Sequence, residues 1–166
     1  MESRVPRFAL IKEAERQPLF GLLRQTNAAY SPALPMELPA EAIRTRTCAF
    51  WRVGQMVHTR FHAGAEVTLE DAQANIEVTA KLTGGRALPV LVDLRTVRSQ
   101  SAEARSLFAG PEGRAVSSAV ALLLSNPLSR VMGNFYLGFN RPQTPTRLFT
   151  SEAEAEAWLL TFAPNE

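Results

Sequence analysis

The feature that most constrains the fold is a short apolar run in the middle of the chain, Leu88 to Val92, which Asp93 ends. Five residues are too few for a helix, and apolar and polar side chains do not alternate, so the run predicts a strand buried on both faces of a sheet. After a turn, apolar residues recur with helical spacing at Ala104, Leu107 and Phe108. Strand, turn and helix together predict an α/β fold. Open α/β sheets bind ligands where such strands end, so this turn is the first candidate for function.

Length and composition indicate one ordinary globular domain, since the chain has 166 residues, of which 46% are hydrophobic and 20% are charged. The net charge is only +2. Arginine supplies nearly all of the positive charge and is spread from Arg4 to Arg147. A nucleic-acid-binding protein would be expected to cluster its basic residues with aromatic ones on one element. We therefore expect no nucleic-acid partner.

The few potential metal ligands argue against a metal site or another cofactor. Cys48 is the single cysteine, which excludes an internal disulfide and a cysteine-based zinc site and indicates a small buried core residue. His58 and His62 are four residues apart, but they fall near a strand end without a carboxylate pair close by in the sequence. We expect neither histidine to bind metal.

The chain shows no targeting or membrane segment. Its N-terminus carries Glu2, Glu13 and Glu15 and has no sustained apolar core, unlike a signal peptide. No stretch approaches the roughly 20 apolar residues of a membrane span. These features predict a cytoplasmic protein without a membrane span.

Residues 1–42 are predicted to form an N-terminal arm with a proline-rich connector, and residues 43–166 the domain itself. Three prolines between Pro32 and Pro39 make that stretch stiff and prevent regular structure. The arm has two interpretations. It covers a hydrophobic surface of its own subunit or of a partner in a homodimer, or it is a loosely ordered extension.

Two β-rich runs around Gly54 predict a hairpin. With the turn centred on Val53 and Gly54, Phe50 faces Val57, and Trp51 faces Met56 on the opposite side. Helices on one face only would leave Trp51 and Met56 as an exposed apolar patch, which the arm or a second subunit would then cover.

The remaining elements follow from capping and turn signals. Thr68 and Asp71 form a capping box that starts a helix, and Gly84 ends it. Further predicted elements are a loop at GPEGR, a buried strand over 118–124, a helix over 128–139, a strand over 146–149 and a last helix capped by Ser151. The predicted order is β-β-α-β-α-β-α-β-α. The predicted core comprises Val90, Val92, Val120, Leu122, Val131, Phe135, Leu148, Trp158 and Leu159.

Three segments, VTLEDAQ, PVLVDLRTVRSQSAEARSLF and NPLSRVMGNFYLGFNRPQTPTRLFTSEAEAEAWL, resemble a bacterial family described as STAS/SEC14-like. The resemblance implies the STAS fold of anti-sigma-factor antagonists, an α/β mixed sheet with helices mainly on one face, here with an N-terminal extension. In those antagonists, the loop entering the helix after the central strand carries an aspartate and then a serine that a partner kinase phosphorylates. This chain departs from that pattern, because Arg98 stands about where the acid would be and Gln100 stands near the serine.

The resemblance implies a non-enzymatic regulatory module that binds a protein partner, such as a kinase or another signalling protein, around the central loop. The expected contact residues are Arg95, Arg98, Ser99 and Ser101, with Asn126 after the neighbouring strand; we call these five residues the rim. Arginines beside a helix start suit an acidic or phosphorylated partner. Ser99 and Ser101 are candidates for phosphorylation, or else structural helix caps.

Two other classes of function would each require features of their own. A SEC14-like carrier or sensor of a lipid or small apolar ligand would need a lined cavity, whereas the apolar stripes here suit packing. An enzyme would need a nucleophile with its base, a carboxylate pair, a phosphate-binding loop or a metal set, and no such pattern is visible in the sequence. We expect no enzymatic activity and no cofactor.

Overall fold

The computed structural model describes residues 37–126 and 141–164. Within these residues, the chain forms eight strands and four helices. The strands are β1 (Ile43–Arg44), β2 (Cys48–Val53), β3 (Met56–Phe61), β4 (Glu66–Val67), β5 (Leu88–Asp93), β6 (Ser99–Gln100), β7 (Ser117–Leu123) and β8 (Thr146–Phe149). The helices are α1 (Leu69–Thr83), α2 (Ala102–Ala109), α3 (Pro111–Val116) and α4 (Glu152–Leu160).

Six strands form one mixed sheet in the order β1-β2-β3-β5-β7-β8. The first three strands pair antiparallel, and β3, β5, β7 and β8 run parallel. The predicted buried strand β5 lies inside this sheet. A separate two-stranded ribbon pairs β4 with β6. The predicted α/β fold with a mixed sheet is therefore confirmed.

The order of the parallel strands explains where the helices lie. The strands β3, β5, β7 and β8 follow one another across the sheet in chain order. Connections between parallel strands are almost always right-handed, so successive crossovers in one direction fall on the same face. The helices α1, α2 and α3 belong to these crossovers and cover what we call the three-helix face. The helix α4 follows β8 and packs on the opposite side, the α4 face. The helices thus lie mainly on one face, as predicted.

The core of the three-helix face combines apolar side chains from the hairpin and the helices. Cys48, Phe50 and Phe61 from the strands pack with Ala72 of α1 and Ala104 of α2. Burial raises the pKa of the Cys48 thiol to about 12, so the thiol stays protonated at neutral pH. The interpretation of Cys48 as a buried core residue is confirmed.

The α4 face has its own core, in which Met56, Leu91, Leu123 and Phe149 of the sheet pack with Leu159 of α4. Trp51 and Met56 were expected to form an exposed patch. That expectation is wrong, because only 7% of Trp51 and 5% of Met56 is exposed. The physical reason is that α4 returns across the face that the connecting helices leave open, and Met56 joins the cluster beneath it.

The hairpin confirms the predicted faces but corrects the pairing. Val53 pairs with Met56 around a Gly54-Gln55 turn, so Phe50 pairs with Thr59 and Trp51 pairs with His58. Gly54 adopts a positive φ of 57°, which suits this tight turn. Moving the turn by one residue shifts every pair, yet the alternation still places Phe50 and Val57 on one face and Trp51 and Met56 on the other.

The predicted core is confirmed for three residues, Val90, Leu148 and Leu159, which are buried. The others that the structure describes are only half-buried, namely Val92, Val120, Leu122 and Trp158. Trp158 packs at the margin of the α4-face cluster, with its ring 5.6 Å from that of Phe149. Val131 and Phe135 lie outside the described residues, as do the predicted helix over 128–139 and most of the arm.

Local signals explain several boundaries. Thr68 and Asp71 cap α1 with both halves of the predicted capping box, and Gly84 ends it in the left-handed conformation. The predicted loop at GPEGR is wrong, because Pro111 occupies the first turn of the short helix α3. Gly113 is required there, since a Cβ would lie 2.0 Å from the carbonyl oxygen of Phe108.

None of the helices in the described residues is long and apolar enough to cross a bilayer.

Candidate functional site

The candidate site lies where the parallel strands end. The carboxyl ends of β3, β5, β7 and β8 meet at one edge of the sheet, because these strands run in the same direction. Asp93, the last residue of β5, is at this edge and only 8% exposed. A buried carboxylate requires hydrogen bonds and counter-charges, so its surroundings define the site.

Two arginines bind the Asp93 carboxylate. Arg95 donates from Nε to Oδ1 at 2.9 Å and from Nη2 to Oδ2 at 2.6 Å, and its backbone N–H donates to Oδ1 at 3.1 Å. Arg60 of β3 places Nε 3.3 Å from Oδ2. Such a two-pronged guanidinium–carboxylate contact fixes both side chains in one orientation. The turn after β5 is therefore tied to the end of its own strand.

Arg95 also reaches the start of α4, where Nη2 lies 3.6 Å from Oε2 of Glu152. The sequence predicted Arg95 as an exposed contact residue of the rim. The structure shows instead that Arg95 is half-buried, since only 26% of its side chain is exposed and it makes ion pairs with two acids. Arg95 is in a position to hold the turn, the strand and α4 together.

Ser99 lies in the β4–β6 ribbon, and Arg98 lies just before it and contacts Glu66 of β4. Arg98 Nη1 lies 3.0 Å from Glu66 Oε1, and the two side chains are 51% and 57% exposed. Ser99 is half-buried and pairs with Glu66 in the parallel ribbon. The two predicted arginines of the rim thus interact with different acids on different elements.

Ser101 is the N-cap of α2. Its side chain accepts from the N–H of Ala104 at 3.1 Å, and its own N–H donates to Val67 O at 2.9 Å. The cap interpretation is confirmed for Ser101, whereas Ser99 lies in β6 and caps no helix; phosphorylation of Ser99 or Ser101 stays a prediction. Hydrogen bonds from the first turn of α2, including one from Ser101, hold the pKa of Glu103 below its ordinary value.

Asn126 follows β7, the strand next to β5, and is half-buried. The N–H of Leu94 donates to Leu123 O at 3.0 Å, which joins the segments after the two strands. Asn126 therefore belongs to the same edge of the sheet as Asp93, as the sequence predicted.

An open groove lies next to the cap of α2. It is lined by residues of α1, α2 and α3, namely Leu69, Ala102, Glu103, Ser106, Leu107 and Glu112. Leu69, the first residue of α1, is 38% exposed. The groove is thus lined by two leucines and two carboxylates.

The sequence did not indicate the roles of Arg60, Glu152 and Glu156, and it predicted no metal binding at His58. His58, Glu152 and Glu156 form a group whose ligand atoms all lie within 4.8 Å of one another. The four-residue spacing of the two glutamates was visible in the last helix, but their approach to β3 depends on how α4 crosses the sheet. His62, the other histidine, is apart from this group, and its Nε2 lies 3.3 Å from Thr45 O.

The family model of a domain of unknown function, DUF7793, matches residues 50–163. The chain belongs to the DUF7793 family. No curated protein matches the chain significantly. The match begins within β2 and extends past α4, so the DUF7793 domain comprises most of the sheet and the whole edge described above.

Two solved structures are similar to this DUF7793 chain. One is the crystal structure of an uncharacterised DUF3478-family protein with a SpoIIAA-like fold from Shewanella loihica PV-4, with 18% identity, a TM-score of 0.50, and coverage of 68% of this chain and 91% of that chain. The other, a protein of unknown function from Arthrobacter sp. FB24, has 35% identity, a TM-score of 0.26, and coverage of 63% and 86%. The first shows that the DUF7793 chain has a SpoIIAA-like, STAS-type fold.

Proposed function

We propose that the protein is a non-enzymatic regulatory module of STAS type that docks a protein partner through the segment after β5 and the start of α2. The observation that carries the proposal is the exposed ion pair of Arg98 and Glu66 at the β4–β6 ribbon, which offers charges of both signs beside the capped helix start. The resemblance to STAS antagonists, which meet their partners at this loop, supports the same place.

The side chains that line the groove beside the Ser101 cap indicate which partner side chains this surface would bind. Leu69 and Leu107 offer apolar area, and Glu103 and Glu112 offer negative charge. Arg98 adds a positive charge that it shares with Glu66. A partner segment with apolar and basic side chains that also presents one acid to Arg98 is complementary to this surface.

A lipid or apolar-ligand carrier remains the alternative from the sequence. Within residues 37–126 and 141–164, buried apolar side chains pack into one cluster on each face of the sheet. No observation in that part of the chain favours the carrier over the docking module.

The test is site-specific photo-crosslinking in the cells that make the protein. A photoreactive residue replaces Ser106, an exposed residue that lines the groove, in one variant and Arg86, an exposed arginine just before β5, in the matched control. Arg98 is left intact because the partner is expected to contact it. We expect a defined protein adduct from position 106 that is absent from position 86. The same adducts at both positions, or none at position 106, would contradict docking at this surface.

A second set of variants separates docking from folding. We expect Arg98→Ala to keep the melting temperature, because an exposed ion pair contributes about 0 to 1 kcal/mol to stability. It should nevertheless weaken capture of the partner found by crosslinking. Arg95→Ala is unsuitable for this purpose, since Arg95 holds the buried Asp93.

A further inference from the structure

On the α4 face, a buried histidine meets two carboxylates from the last helix. His58 of β3 is only 6% exposed, and its Nε2 lies 3.9 Å from Oε1 of Glu156. Glu152 and Glu156 are four residues apart on α4, so they occupy the same side of the helix. His58 precedes the two glutamates by about a hundred residues, so the three side chains meet only in the folded chain.

The distances suit a shared ion after a small adjustment. The three ligand atoms lie within 4.8 Å of one another. Ligands about 2.0 to 2.2 Å from a tetrahedral zinc ion are roughly 3.3 to 3.6 Å apart. Glu152 and Glu156 are half-buried, with side-chain exposures of 29% and 43%, so rotation of their side chains can close this gap.

The histidine is held in place for such a role. Its ring stacks on Trp51 with the ring centroids 5.4 Å apart, and Trp51 in turn has the guanidinium of Arg60 above it. The Nε2 atom of this stacked ring is the atom that lies 3.9 Å from Glu156 Oε1.

The ion pairs around the three side chains engage the two glutamates differently. Within the described residues, the acids at this place are Asp93, Glu152 and Glu156, and Arg60 and Arg95 make ion pairs with Asp93 and Glu152. Arg95 binds Asp93 through both carboxylate oxygens and also places Nη2 3.6 Å from Glu152 Oε2, so Glu152 would be shared between Arg95 and a bound ion. Glu156 makes its ion pair with His58.

We propose that His58, Glu152 and Glu156 form a binding site for a divalent first-row transition-metal ion that pins α4 to β3. One imidazole nitrogen with two carboxylate oxygens suits Zn²⁺ and its neighbours in that row better than Mg²⁺ or Ca²⁺, which prefer sets made of oxygen alone. Three protein ligands leave a position open for water or for a group from a partner.

The test measures thermal unfolding of the full chain without a histidine tag, with Zn²⁺ or Mg²⁺ added. We expect Zn²⁺ to raise the melting temperature by about 5 to 10 °C at roughly one hundred times the dissociation constant, because the ion binds the folded state alone. Mg²⁺ at the same concentration should give a much smaller shift. Native mass spectrometry should find one Zn²⁺ per chain.

Variants identify the ligands. Glu156→Gln changes a half-exposed side chain and should keep the fold but lose the shift with Zn²⁺, and His58→Gln should do the same. The matched controls are Glu154→Gln, on the exposed side of the same helix, and His62→Gln, the only other histidine. Both controls should keep the shift. The proposal is overturned if Zn²⁺ gives no shift in the wild-type chain, or if Glu156→Gln keeps the full shift and the bound ion.

Discussion

The two faces of the sheet are built differently. On the three-helix face, the cluster around Phe50 consists of apolar side chains and small residues beneath helices that connect neighbouring strands. On the α4 face, the apolar cluster adjoins titratable groups, because His58 lies near Glu156 and Arg95, which binds Asp93, lies near Glu152, both in the first turns of α4. Right-handed crossovers decide on which face the connecting helices lie, whereas α4, which follows β8, meets the other face through these side chains.

The largest expected effect tests whether the two faces share one folding unit. Phe50→Ala on the three-helix face and Leu159→Ala on the α4 face each remove a side chain that is at most 1% exposed. Each should lower the free energy of unfolding by about 3 to 5 kcal/mol, through lost burial and the cavity left behind. Urea unfolding followed by circular dichroism measures this. A separate early transition for Leu159→Ala alone would show that α4 unfolds independently.

The next effect concerns the ion pairs of Asp93 on the α4 face. Asp93→Asn should lower the free energy of unfolding by about 2 to 3 kcal/mol, because Arg60 and Arg95 lose the charge that both bind. Glu66→Gln is the control, since Glu66 belongs to an exposed ion pair, and it should cost about 0 to 1 kcal/mol. An equal loss of unfolding free energy in the two variants would show that the buried ion pairs of Asp93 contribute no more than an exposed ion pair.

A pH-dependent effect belongs to the three-helix face. Arg46 donates from Nε to Asp71 Oδ1 at 2.8 Å, and this contact lowers the pKa of Asp71 from 3.8 to about 2. Because the folded-state pKa is depressed, the resulting stability is fully present above about pH 4 and is lost as the pH falls toward 2. Asp71→Asn should reduce the stability at pH 7 and flatten its fall between pH 4 and 2. A variant with the same acid slope as the wild-type chain would refute this assignment.

The smallest effect concerns the helix cap beside the proposed docking surface. Ser101→Ala removes the acceptor for the Ala104 N–H and should cost about 0.5 to 2 kcal/mol. Ser101→Asp keeps a capping oxygen and should restore most of this loss. Hydrogen exchange of the first turn of α2 reports the change locally. If protection falls equally in both variants, the cap does not act through the side-chain oxygen.

The sequence by itself determined the elements whose signals are local. The apolar run that ends at Asp93 predicted β5, the pair Thr68 and Asp71 predicted the start of α1, and Ser151 predicted the start of α4. Strand burial and capping depend on residues within one turn or one run of the chain, so they can be read without the fold. The predicted second buried strand also placed Asn126 after β7, the strand that pairs with β5.

Only the tertiary structure decided which side chains meet. Arg95 and Arg98 are three residues apart, yet one binds buried Asp93 and the other binds exposed Glu66. His58 meets Glu156 because α4 crosses back over the face that right-handed crossovers leave open. Contacts of this kind depend on strand order and helix position across the whole sheet, so they cannot be predicted from a local pattern of residues.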